Sequence, residues 1–283
     1  MKNVGNIGAE IFVPDNKSIE EALSRTTHMS IGTHPDDLEI MAYHGILQCF
    51  GNKERWFFGV TVTDGSGSPR DDLYANYSDE DMQNVRRAEQ KKAAVVGEYS
   101  AVALLNYPSS AVKDPKNKSI KDDIKELVRS ASPSFIYTHN LADKHDTHVA
   151  VTLRTIQSLR ELPESSRPGA LYGCEVWRDL DWMVDKDKVA FDVAAHENLA
   201  HSLVSIFDSQ ICGGKRYDLA TIGRRRANAT YHATHGTDVT SSIIFAMDLT
   251  PLIKDTTIDI REYTKGYIDR FAHDVRARLE KLS

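Results

Sequence analysis

Short runs of apolar and β-branched residues recur along the chain at His28–Gly32, Trp56–Thr63, Ala101–Tyr107, Phe135–Thr138 and Ala170–Val176, and these predict strands. Between them the apolar positions take helical spacing, which predicts helices over Leu38–Phe50, Ser78–Gly97, Ser119–Ala131 and Thr147–Leu162. Ser78 ahead of Asp79, Glu80 and Asp81 reads as a helix start, as does Ser119 ahead of Asp122 and Asp123. Crossovers of this length permit parallel pairing, so the alternation predicts an α/β architecture: an open, mainly parallel sheet with helices on both faces. Ligands of such sheets bind outside the carboxyl ends of the strands, which directs attention to the loops that follow them.

After the PESSRP stretch, Pro163 to Pro168, the pattern loosens into a predicted helix at Val193–Asp208, a β run at Ile243–Leu249 and a terminal helix at Glu262–Leu282. No internal repeat or second core is evident. One α/β domain over residues 1–283 is therefore expected, with a core of about 27–211 and an elaborated C-terminal region, 212–283.

Charge narrows the functional classes. The 283 residues carry 35 basic and 41 acidic side chains, a net charge of −6, which disfavours a nucleic-acid partner; the run Gly223-Arg224-Arg225-Arg226 is too short to reverse that. Cys49, Cys174 and Cys212 lie far apart without Cys-x-x-Cys spacing, so neither a disulfide framework nor a sulfur-ligated zinc is expected, and a cytoplasmic location fits best. Met1 to Lys17 does not read as a signal peptide, and no stretch has the length of a membrane span.

Two clusters follow predicted strands. In Thr33-His34-Pro35-Asp36-Asp37-Leu38-Glu39, Pro35 presents His34 from a tight turn beside two carboxylates whose side chains diverge, so that one could bind a metal and the other act as a base. The competing reading is that Asp36 or Asp37 only caps the next helix. The second cluster runs from Thr138 to His148; His145 and His148 are three apart, on one side of a helix's first turn if the helix begins there. A parallel sheet would bring this loop beside the first, and nitrogen and oxygen ligands with an open position are what a catalytic zinc requires, the ion lowering the pKa of its bound water to about 7.

These residues resemble the PIG-L/LmbE-like zinc-dependent N-deacetylases. The resemblance rests on His34-Pro35-Asp36-Asp37-x-Glu39, Thr63-Asp64-Gly65, Arg86-x-x-Glu89, the His145 to His148 segment and Ser209-Gln210, in the family's order over roughly residues 27 to 211. It implies a Rossmann-like fold and removal of an N-acetyl group from an N-acetylglucosamine-type amino sugar or its conjugate. His34, Asp37 and His148 would be the zinc ligands, with another divalent metal such as Fe2+ open. Asp36 would be the general base, and His145 would assist the oxyanion or the leaving amine. Arg86 would bind substrate; its alternative is an i,i+3 pair with Glu89 on a solvated face. Glu39 reads as a carboxylate behind the ligands or at the helix start.

The chain departs from the family pattern at Thr147, where relatives commonly carry Asp, leaving Asp143 or Asp146 to orient His145. His44-Gly45 replaces a frequent Gly-Gly pair, and His232 or His235 could reach the site from the C-terminal part. Two other readings compete: a non-haem iron oxygenase with a two-His-one-carboxylate site, and a carbohydrate-binding protein with a degenerate site. The expected partner is a small-molecule amino sugar; homo-oligomerisation stays open.

Overall fold

The computed structural model describes residues 4–283, so the first three residues of the Met1–Lys17 segment lie outside the described residues. Eight strands form one sheet: β1 (Glu10–Phe12), β2 (His28–Gly32), β3 (Phe57–Thr63), β4 (Ala101–Tyr107), β5 (Phe135–His139), β6 (Ala170–Cys174), β7 (Val189–Asp192) and β8 (Ile243–Asp248). Their order is β1-β4-β3-β2-β5-β6-β8-β7. The five central strands are parallel, while β1 joins one edge antiparallel and β8 and β7 close the other in antiparallel pairs.

Chain order runs one way from β2 through β3 to β4 and the other way from β5 to β6, so the direction of winding reverses between β2 and β5. Such a switch point opens a crevice at the carboxyl ends of the two strands. The register pairs His28 with Phe135 and Ser30 with Tyr137, which brings the loop after Gly32 level with the end of β5.

Both faces of the sheet are buried. Met29, Ile31, Phe58 and Val60 pack against Ile124, Leu127 and Val128 of the Ser119–Ala131 helix and Val151 and Ile156 of the Asp146–Arg160 helix. Phe57, Val102 and Leu104 pack on the other face with Leu38, Met41 and Ile46, and with Ala93 of the Asp79–Val96 helix. Ser78 caps that last helix in a reciprocal box, its hydroxyl accepting from Asp81 N–H at 3.2 Å while Asp81 accepts from Ser78 N–H at 2.9 Å.

The expected helix over Leu38–Phe50 is broken in two, Asp37–Met41 and Tyr43–Cys49, at Ala42. The cause is Arg225: its buried guanidinium donates to Glu39 O at 2.8 Å and Ile40 O at 3.0 Å, supplying these carbonyls with a distant donor where the helix breaks. Ser119 is the first residue of its helix and makes no cap hydrogen bond; Lys118 occupies the cap position. Within the expected Val193–Asp208 helix only Glu197–Ser205 forms a continuous helix of that reading, β7 precedes it, and a further helix, Tyr217–Tyr231, lies in the stretch read as irregular. Among the described residues no helix is long and apolar enough to cross a membrane.

Candidate functional site

The turn after β2 is built around an unusual backbone. Asp36 has φ +102° and ψ −32°, a region that L residues seldom enter and that neighbouring contacts must hold. Arg86, from the Asp79–Val96 helix, supplies them: its guanidinium donates to Pro35 O, to Ser68 Oγ and, at 3.0 Å, to Asp36 Oδ2. Gln90, one turn along, accepts from Asp36 N–H at 3.3 Å, and Glu39 accepts in turn from Gln90 at 2.8 Å and Tyr99 at 2.7 Å. Asp36 occupies the cap position of the Asp37–Met41 helix yet makes no side-chain cap bond, so the capping reading fails for it.

Three side chains converge beside this turn. His34 Nδ1 lies 3.3 Å from Asp37 Oδ2, His148 Nε2 lies 3.5 Å from the same oxygen, and the two ring nitrogens are 3.2 Å apart. Donors about 2.0–2.1 Å from a tetrahedral ion stand about 3.3–3.4 Å from one another, so the triangle fits one face of such a site. Asp37 Oδ2 is further held by the N–H groups of His34 (2.6 Å) and Thr33 (3.1 Å).

A fourth group is close but already engaged. His139, the last residue of β5, brings Nε2 to 3.5 Å from Asp37 Oδ2, and its ring stacks on His148 with centroids 3.9 Å apart. That nitrogen also lies 3.0 Å from both the N–H and the hydroxyl of Thr33, while Nδ1 is buried with no partner. His139 thus packs behind the triangle.

The residues singled out from the sequence divide accordingly. His34, Asp36, Asp37, Arg86 and His145 line one cavity of about 660 Å³, and His148 is buried against them. His145 stacks on His148 (4.5 Å between centroids) and meets His34 edge to face (5.1 Å), with Nδ1 free of any partner. Asp143 does not serve His145 as expected: its Oδ1 lies 3.7 Å from His148 Nδ1, and its carboxylate is held by the N–H groups of His145 (2.9 Å) and Trp177 (3.1 Å). Asp146 is exposed. Arg86 has no solvated pair with Glu89, which instead takes Ser209 N–H at 2.8 Å and Ser209 Oγ at 2.6 Å. His232 packs on Phe245 and His235 is exposed, and neither borders the cavity.

Several residues at the site carried no readable signal: His139, Gln90, Trp177 and Tyr217. Trp177 and Tyr217 form an aromatic wall, 6.2 Å apart, with the Lys215 ammonium 4.8 Å from the Trp177 ring. Lys113 and Arg224 complete a cationic rim.

The electrostatics separate the two adjacent carboxylates. Burial raises both, but the imidazoles of His148 and His139 and the hydrogen bond with His34 hold Asp37 well below the usual range. Asp36 is pushed well above it by burial, with Arg86 opposing and Asp37, Glu39 and Glu89 adding repulsion. Burial also lowers His34 to about 4 and raises Glu39 to about 7. His34 is therefore neutral near pH 7, the form that can ligate a metal.

Residues 29–159 match the family profile described as PIG-L: GlcNAc-PI de-N-acetylase. No curated protein sequence matches the chain. Among solved structures, the chain is similar to N,N'-diacetylchitobiose deacetylase from Pyrococcus horikoshii (TM-score 0.62, 15% identity, 84% of this chain and 88% of that one). It is similar also to GalB, the 4-carboxy-2-hydroxymuconate hydratase from Pseudomonas putida KT2440 (0.59, 14%, 83% and 99%), and to the A40926 pseudoaglycone deacetylase Dbv21 (0.57, 15%, 80% and 98%). At these identities the likeness is one of fold. The family match spans both loops and every converging imidazole and carboxylate, so the PIG-L likeness covers the whole of the triangle.

Proposed function

We propose that this chain is a metal-dependent N-deacetylase that cleaves the amide of an N-acetylglucosamine-type amino sugar or its conjugate. The observation that carries this reading is the His34–Asp37–His148 triangle, with 3.2–3.5 Å sides, opening beside Asp36 on a 660 Å³ cavity. Two imidazoles and one carboxylate suit Zn2+, with Fe2+ the other candidate. A divalent ion held there supplies a Lewis acid and a water acidic enough to ionise near neutral pH.

The chain's own groups supply the rest. Asp36, kept out of the helix cap and poised by Arg86, takes the proton of the attacking water and passes it to the departing amine. His145 faces the same cavity and donates to the carbonyl oxygen as that oxygen gains charge. The Trp177 and Tyr217 rings give a sugar ring an apolar wall, and Arg86, whose two terminal nitrogens are engaged by Pro35 O, Ser68 Oγ and Asp36, acts on the substrate chiefly through Asp36. The parallel sheet speaks against the iron-oxygenase alternative, which uses antiparallel jelly rolls. Free Cys49, Cys174 and Cys212 support a cytoplasmic setting, and β8 lying within the same sheet supports a single domain.

Acetate release from a panel of N-acetylglucosamine derivatives, with and without chelator, tests the reading. Release that stops with chelator and returns with Zn2+ or Fe2+ is expected; no release from any member overturns it. A second reading has one observation in its favour. The Lys113, Lys215 and Arg224 rim suits a polycarboxylated substrate such as the one GalB is named for, and loss of absorbance from an unsaturated tricarboxylate in a parallel hydration assay would select it.

A further inference from the structure

The terminal helix, Ile260–Leu282, starts on the body and then leaves it. Asp259 caps its first turn, accepting from Arg261 N–H at 2.8 Å and Glu262 N–H at 3.0 Å, and Tyr263 OH donates to Asp248 O at 2.6 Å. Tyr267 is the one buried residue of the helix. Residues 268–282 continue for about 22 Å with no side chain buried against the body.

This free segment is amphipathic. Ile268, Phe271, Val275, Leu279 and Leu282 are 37–83% exposed. At about 100° per residue all five lie within about 40° of Val275, the narrow stripe of a coiled-coil seam. A fifteen-residue stretch of helix tied to the body by the Arg270–Asp187 ion pair and burying no side chain is marginal in water, so a seam of this kind needs a partner to be stable.

We propose that the seam pairs with the same seam of a second copy of this chain, antiparallel, about a two-fold axis at Val275. The spacing carries the choice of occupant. Relative to 275 the apolar positions fall at −7, −4, 0, +4 and +7, a series unchanged by reversal. Antiparallel pairing therefore lays Val275 on the partner's Val275, Phe271 on the partner's Leu279 and Ile268 on the partner's Leu282. An isologous contact requires this self-complementarity. The edges agree. On one side Asp274, paired with Arg278 of its own helix at 3.0 Å, comes within a turn of the partner's Arg278, so the two pairs can join, and on the other Ala272 leaves room beside the stem of the partner's Arg276. A parallel pair would crowd both bodies at one end, whereas the antiparallel pair places them at opposite ends.

Sedimentation velocity of the full chain over a concentration series tests this. A dimer that dissociates on dilution is expected, and Val275→Asp, which sets two like charges face to face, should raise its dissociation constant at least about tenfold while acetate release and circular dichroism stay unchanged. Orientation is read by oxidative cross-linking in a Cys212→Ser background. Val275→Cys should give a covalent dimer, Ile268→Cys alone should not, and a mixture of Ile268→Cys with Leu282→Cys should. A monomer at all concentrations, a dimer indifferent to Val275→Asp, equal cross-linking by Ile268→Cys alone, or a monomer that instead floats with anionic lipid vesicles would each overturn the proposal.

Discussion

Asp143 stands 3.7 Å behind His148: its Oδ1 faces Nδ1 of the ring whose Nε2 points at His34 and Asp37. Burial raises the Asp143 carboxyl, but His148 and the backbone N–H of His145 hold it below the usual range, so it stays charged behind the imidazole. A carboxylate in that position sets the tautomer and strengthens the nitrogen on the far side as a donor. Asp143→Asn is therefore expected to weaken metal affinity about 10- to 100-fold while the fold persists, measured by metal titration alongside circular dichroism.

Asp36 and His148 should separate cleanly. Asp36→Asn is expected to keep its metal and lose at least about 10²-fold in turnover. His148→Ala is expected to lose the metal. Elemental analysis of the purified variants and acetate release together check both, and full turnover in the first or full metal content in the second contradicts the assigned roles.

Arg86 holds the positive-φ turn through Pro35 O and Asp36. Truncation leaves a buried carboxylate without its cation, a change that costs about 3–5 kcal/mol. Arg86→Met should thus lower the denaturation midpoint as well as activity, and Arg86→Lys should recover stability only in part because it cannot reach three acceptors with one fork. A variant with normal stability and only a raised KM would mean that Arg86 serves the substrate directly.

Two histidines far from the substrate cavity give a pH dependence. Burial, with repulsion from His44 and Arg55, lowers His28 to about 4, and burial lowers His44 to about 4. His28 stacks on Phe135 and His44 on Phe191, so both fold as neutral rings. Between pH about 6.5 and about 4 the unfolded chain binds these protons and the folded chain does not, so stability falls as pH falls through that window. Denaturant unfolding of the metal-free protein should show this slope, and His44→Gln should flatten it.

Much of the fold was legible because it follows from local pattern. β2 and β4 begin and end at the expected residues, and the Ser78 start is a true capping box, since strand composition and cap chemistry act over a few residues. The three-residue β1 and the four-residue β7 are too short to alternate visibly, and each exists only by pairing with a strand far along the chain.

At the site, the sequence by itself determined that His34, Asp36 and Asp37 share one turn and that His145 and His148 share another, because Pro35 and helical spacing impose those neighbourhoods. Only the tertiary structure decided which imidazole faces His34. His139 and His148 are equally near Asp37, but Nε2 of His139 lies against Thr33, 106 residues before it, while Nε2 of His148 lies against His34. The same holds for the break at Ala42, where an arginine 185 residues beyond Ile40 takes up its carbonyl, and for Asp143, which faces the ring of His148 and meets His145 only at its backbone. Hydrogen bonds of that reach depend on how sheet and helices pack, and no local pattern encodes them.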